Sequence, residues 1–179
     1  MNKFFMAIML ATMGMSSVAL AETPEEEAAA ELAVAYDDAQ FVKAAASSNL
    51  WSVKAARLAV RLAKNSKVEA LALQDLAEHV NVTEGIEALA GKFGVEMPTE
   101  LEPLGESLFQ RLSNLQGNRF DRAYLHTVIE SHRYDVAILS LALSSSRDAD
   151  VKAFAEKNLP ILRGHLDAAQ EILRTLPQE

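Results

Sequence analysis

An all-α helical bundle is the fold class this sequence predicts, and three observations predict it. Half of the 179 residues are apolar but only 6% are aromatic, so Ala and Leu, both strong helix formers, carry most of the apolar content. Residues that favour strands are correspondingly few. Apolar residues also recur with the 3.6-residue period of a helix over four long stretches. Short polar links join these stretches in two pairs, as antiparallel neighbours require. The length suits one domain with a sizeable core.

The first element is an address. Met1-Asn2-Lys3 is a short positive start, Phe4 to Met15 is an apolar run, and Ala19-Leu20-Ala21 is the small-residue pattern that signal peptidase cuts after. The apolar run is shorter than the roughly 20 residues a membrane span needs. Residues 1–21 therefore read as a signal peptide cleaved after Ala21, and the mature protein as periplasmic or secreted. Removal takes away one Lys and changes the net charge from -8 to -9. Residues 22–36, with Glu25-Glu26-Glu27, read as an acidic leader, and residues 37–176 as the bundle domain.

The first long helix is expected from about Asp38 to Lys64, with a break near Ser47-Ser48-Asn49. Its inner face holds Phe41, Ala45, Ser48, Ser52, Ala55, Ala59 and Leu62. Ser66-Lys67-Val68-Glu69 has the S-x-x-E pattern of a capping box and opens a second helix to about Phe93, which Gly94 stops. Pro98 and Pro103 punctuate a crossover in which Leu104 to Leu115 is short helix or irregular structure. Asn118 is the expected N-cap of a third long helix from Arg119 to about Ser145. Asp148 caps the fourth, which ends near Leu176-Pro177 and should kink at Pro160, freeing the carbonyl of Glu156. Two short links and one long crossover, between the second and third long helices, make a ferritin-like four-helix bundle.

Sorting side chains by face at 100° per residue turns several polar groups inward. Asp75 and His79 lie within the apolar stripe of the second helix, with Val68, Leu71, Val82 and Ile86. Ser131, His132 and Asp135 share a face with Phe120, Tyr124, Val128 and Leu139. Asn158 and His165 share one with Val151, Phe154, Leu162 and Ala169. His126 and Glu130 fall on an outer face. Inward polar groups cost roughly 1–3 kcal/mol each unless they find partners. They pair with one another as a structural layer that fixes register, or hold a metal, or line a small-ligand pocket or proton-transfer site. Neutral imidazole with carboxylate is a ligand set for a single transition ion, and the candidate ligands are His79, His132, His165, Asp75 and Asp135. The repeated Glu-x-x-His pair of two-iron bundles is absent.

The second half carries Gly117-x-x-Phe120-Asp121-Arg122-x-Tyr124, then His132, Asp148, Lys152-Ala153-Phe154-Ala155 and Leu159-Pro160-x-Leu162-Arg163-x-His165-Leu166-x-x-Ala169. The first half adds Phe41-Val42-x-x-Ala45, Arg57-Leu58-Ala59, His79 and Pro98. With these the chain resembles the bacterial domain-of-unknown-function family 4142, whose members are often labelled outer membrane proteins. The resemblance spans about Asp38 to Ile172 and implies a secreted, ferritin-like domain without a settled activity. It carries the family histidines onto His79, His132 and His165. The family usually has Glu where this chain has Ser52, Asp where it has Glu78 and Ser131, and Met where it has Asp75.

A net charge of -8 argues against a nucleic-acid binder, which needs a basic stripe to neutralise phosphates. Zero Cys excludes disulfides, thiolate metal sites and a lipid-modified cysteine. No nucleophile elbow, P-loop, dinucleotide fingerprint or zinc-protease motif is present, so no catalytic residue is assigned. No stretch of the mature chain is long and apolar enough to span a membrane, which leaves peripheral envelope association. Three functional readings follow: a non-enzymatic exported bundle with an envelope or stress role, a transition-metal-binding bundle using the inward His and Asp residues, or a binding module whose acidic surface or leader engages a basic partner.

Overall fold

The structure is a computed structural model that describes residues 36–177. The expected signal peptide and most of the acidic leader lie outside these residues. Among the described residues the secondary structure is entirely helical: α1 (Asp38–Leu62), α2 (Ser66–Phe93), α3 (Pro103–Ser113), α4 (Gly117–Ser145) and α5 (Ala149–Thr175). Each long helix packs on two others, α1 on α2, α2 on α5, α5 on α4 and α4 on α1, so they close a ring around one core. The short α3 lies in the crossover and touches α1 and α4. No described helix is long and apolar enough to cross a membrane.

Local chemistry sets most helix ends, with three departures from expectation. Asn65, one residue before the proposed capping box, is the N-cap of α2, and its side chain accepts from the Lys67 N–H. Helix α4 begins at Gly117, so Asn118 is inside it and Gln116 is the cap, without a side-chain bond. Helix α1 runs unbroken through Ser47-Ser48-Asn49. Packing overrides the weak helix propensity there, because Asn49 is buried and bonded to α2. Asp148 caps α5 through the N–H groups of Asp150 and Val151. Gly94 ends α2 at φ +67°, a conformation that suits a residue without Cβ. Helix α5 continues through Pro160 to Thr175.

The link between α1 and α2 is fixed from across the bundle. Asp121 of α4, fully buried, accepts the backbone N–H groups of Lys64 at 3.0 Å and Asn65 at 2.9 Å. This satisfies donors that a helix start would otherwise leave open.

The core has two apolar halves. One gathers Leu58, Val68, Leu71, Phe120, Tyr124 and Val128, and the other gathers Phe41, Val42, Ile86, Leu139, Val151 and Leu162. Along α2 the change from one half to the other falls between Ala72 and Ile86, along α4 between Ile129 and Leu139, and along α5 between Leu162 and Ala169. Asp75, His79, His132 and His165 occupy those intervals. These four buried polar residues thus form a layer across the middle of the bundle.

Candidate metal centre

Helix α2 supplies Asp75 and His79, one turn apart, α4 supplies His132 and α5 supplies His165. All four are buried, and one donor atom from each lies within 4.8 Å of the other three. Asp75 Oδ1 is 2.8 Å from His165 Nδ1, 3.1 Å from His132 Nε2 and 3.9 Å from His79 Nε2. His132 Nε2 and His165 Nδ1 are 3.3 Å apart. A tetrahedral ion with bonds of about 2.0–2.1 Å places its ligands about 3.3 Å apart, so the observed separations bracket that geometry.

Hydrogen bonds behind the cluster set the tautomer of one imidazole. Asn49 Nδ2 donates to Thr83 Oγ1 at 2.9 Å, and the Thr83 hydroxyl donates to the His79 carbonyl at 3.0 Å. Asn49 Oδ1 is therefore left to accept from His79 Nδ1–H, at 2.8 Å. The lone pair of His79 falls on Nε2, which is buried, faces Asp75 and has no hydrogen-bond partner. The Ser131 hydroxyl lies 3.1 Å from the Val128 carbonyl and 3.2 Å from His132 Nδ1, and can donate to either. His132 Nε2 faces Asp75 Oδ1 at 3.1 Å and His165 Nδ1 at 3.3 Å, and with no ion bound it donates its proton to the carboxylate. Such outer partners orient imidazoles in metal sites.

Electrostatics favour a cation at the centre. Burial holds His79 down at about 4 against the pull of Asp75, so at neutral pH its ring is uncharged. Burial pushes the Asp75 carboxyl up, but hydrogen bonds and charge from His132 and His165 hold it below the usual carboxylate range. Burial and the Asp75 charge raise the Tyr124 hydroxyl well above its ordinary value. It stays protonated and donates to Asp75 Oδ2 at 3.4 Å. Burial opposes charge on His165, yet the Asp75 and Glu78 carboxylates raise it above its ordinary value. Its Nε2 is 2.8 Å from Glu78 Oε2, close enough for an ion pair, though neither atom has an aligned hydrogen bond.

The residues expected from the sequence do not all meet. Asp75, His79, His132 and His165 come together, whereas Asp135, one turn beyond His132, stands apart from that group. Burial pushes its carboxyl up to about 6, against a Ser48 hydroxyl and the charge of His132. Its Oδ2 has no partner. Ser52, where the family resemblance implies Glu, is buried with its hydroxyl unpaired. His126 is exposed. Helical-wheel reasoning overlooked Asn49, although it lies four residues after Ala45 and three before Ser52, on the same inner face.

The family described as Domain of unknown function (DUF4142) matches residues 23–172. The chain belongs to that family. No curated protein matches it in sequence. Two solved structures share the fold of this DUF4142 chain. One is a DUF305 fragment from Deinococcus radiodurans, with a TM-score of 0.69 at 20% identity, covering 78% of this chain and 96% of that one. The other is a DUF305 protein from Streptomyces coelicolor, with a TM-score of 0.66 at 13% identity, covering 79% and 96%. At these identities the likeness speaks for the helical fold alone.

Proposed function

We propose that this chain is an exported, ferritin-like four-helix bundle whose central polar layer holds one transition-metal ion through Asp75, His79, His132 and His165. The observation that carries this reading is the buried lone pair of His79 Nε2. An orphaned buried acceptor costs about 1–3 kcal/mol, and a cation at the centre would satisfy it together with His132 Nε2, His165 Nδ1 and Asp75 Oδ1. Three imidazoles and one carboxylate suit zinc, copper, iron or manganese. The ion serves storage, scavenging or redox protection in the envelope, and no catalytic residue is assigned. In this reading residues 1–21 direct export and are cleaved after Ala21, residues 22–36 form an acidic leader, and residues 37–176 are the working domain. The A-x-A site and the acidic, cysteine-free composition support export.

One observation favours a purely structural layer. His165 has a carboxylate oxygen 2.8 Å from each ring nitrogen, and as an imidazolium it would answer both. A proton would then replace the metal, with His79 Nε2 still unpaired. Elemental analysis and calorimetric titration of protein purified without a His tag separate the two. We expect one ion per chain in the wild type and at least tenfold weaker binding in His79→Ala. No metal above background, with the same titration heats in both proteins, would leave the structural layer as the answer.

A further inference from the structure

Beside the four candidate ligands lies a cavity of about 40 Å³. His79 and His165 line it, whereas Asp75 and His132 do not, so it approaches the metal position from one side. The opposite side is closed by Tyr124, which is fully buried and bonded to Asp75. The walls are mainly apolar, including Ile86, Leu139, Phe154 and Leu162. Besides the two imidazoles, four polar side chains interrupt them: Asn49, bonded to His79 and Thr83, Glu78, facing His165, and Asp135 and Asn158, each 5% exposed. Asn158 Nδ2 is occupied by the Phe154 carbonyl, at 2.7 Å. Asp135 Oδ2 is buried with no hydrogen-bond partner.

A wider recess of about 220 Å³ between α2 and α5 shares Glu78, Val82, Phe154, Asn158 and Ile161 with this cavity. Asn81 and Lys157, both exposed, stand at its rim. It is therefore the mouth through which the cavity meets solvent. A water molecule needs about 10–15 Å³ of such space, so the inner cavity takes a molecule of two or three heavy atoms and excludes sugars, amino acids and phosphate. An unpaired carboxyl oxygen in apolar walls calls for a partner that the protein does not supply.

We propose that this cavity seats a second ligand, a molecule of two or three heavy atoms such as hydroperoxide or its analogue azide. One end takes an open position on the ion held by Asp75, His79, His132 and His165, and the other end hydrogen-bonds to Asp135. The proposal rests on the metal reading above and extends it. Four protein ligands close a tetrahedral zinc site, but manganese, iron and cobalt also take five or six ligands, and on those ions a further position is open. The approach past His79 and His165 is the side on which the cavity reaches them. Asp135 serves the ligand's far end either as acceptor from a hydroperoxide or, when protonated, as donor to azide.

The test is a titration of the cobalt(II)-loaded protein with azide, followed by visible absorption. We expect one cobalt per chain and a saturable spectral change with one azide bound. Ile161→Trp, placed at the half-buried mouth, is expected to weaken azide at least tenfold. Asp135→Leu should do the same in titrations run below about pH 6, where the carboxyl is protonated and donates. Asp135→Asn, also a donor, should stay close to the wild type, while cobalt stoichiometry stays at one in all three. Stoichiometric cobalt with no azide response overturns this proposal and leaves the metal reading standing. An azide response equal in the wild type, Ile161→Trp and Asp135→Leu also overturns it, because the ligand would then enter elsewhere. Absence of bound cobalt removes the metal reading and this inference with it.

Discussion

At the scale of single residues, Asn49 and Asp135 show how burial turns ordinary polar side chains into specific instruments. Asn49 has its amide nitrogen engaged by Thr83, so its oxygen can only accept, and that choice places the lone pair of His79 on the inner nitrogen. Asp135 is the reverse case, a carboxylate whose burial is incompletely answered. Its pKa of about 6 in the fold lies above the ordinary carboxylate value, so the group favours folding most when protonated. That contribution is complete below about pH 4 and is lost as pH rises through about 6. The charged neighbours acting on it are His132 and Asp75, with opposite effects. Asp135→Asn removes the titration. Relative to wild type, the variant should therefore gain about 3 kcal/mol between pH 4 and pH 7 in chelator-treated protein. Urea unfolding across that range measures it, and a pH-independent difference would contradict the assignment.

At the scale of elements, α2 carries two glycines whose surroundings differ enough to predict opposite outcomes. A Cβ on Gly91 would meet nothing within 4 Å. Gly91→Ala should therefore stabilise by about 0.5–1 kcal/mol through reduced freedom of the unfolded chain. A Cβ on Gly85 would stand 3.1 Å from the ring of Phe154, which is itself held edge-on against Phe41 at 6.2 Å between centroids. Gly85→Ala should show no such gain, because the α2–α5 contact must open to admit it. Thermal unfolding of the two variants side by side checks the difference, and an equal gain would show that Phe154 moves freely.

The same helices show how much of the fold was legible in the sequence. Their number, the αL stop at Gly94 and the Asp148 cap follow from local rules, because periodicity and end chemistry depend on neighbours a few residues away. The start of α2 slipped by one residue, since Asn65 and Ser66 are both competent caps. The continuity of α1 through Ser47-Ser48-Asn49 was not legible locally, because its support comes from α2.

At the scale of the molecule, the polar layer joins three helices at the boundary between two apolar half-cores. A cation there would favour the folded state, since only folding brings His132 and His165 to the Asp75–His79 pair. At one hundred times its dissociation constant a ligand adds about 2.7 kcal/mol. For a domain of this size that should raise the melting temperature by about 5–10 °C. Differential scanning fluorimetry with zinc, copper and manganese against chelator measures this shift. In His79→Ala the metal-dependent part should largely disappear, whereas in His126→Ala, on the exposed face of α4, it should remain.

The sequence by itself determined which side chains point inward: His79, His132, His165, Asp75 and Asp135 turn to the core because 100° per residue fixes a face without reference to any other helix. Only the tertiary structure decided which of them meet. Convergence depends on the axial register and rotation of α2, α4 and α5 against one another, and these are set by packing of Leu71, Phe120, Leu139 and Leu162 far along the chain. That register draws three imidazoles onto Asp75 and leaves Asp135, one turn further along the same face, alone at the wall of the neighbouring cavity.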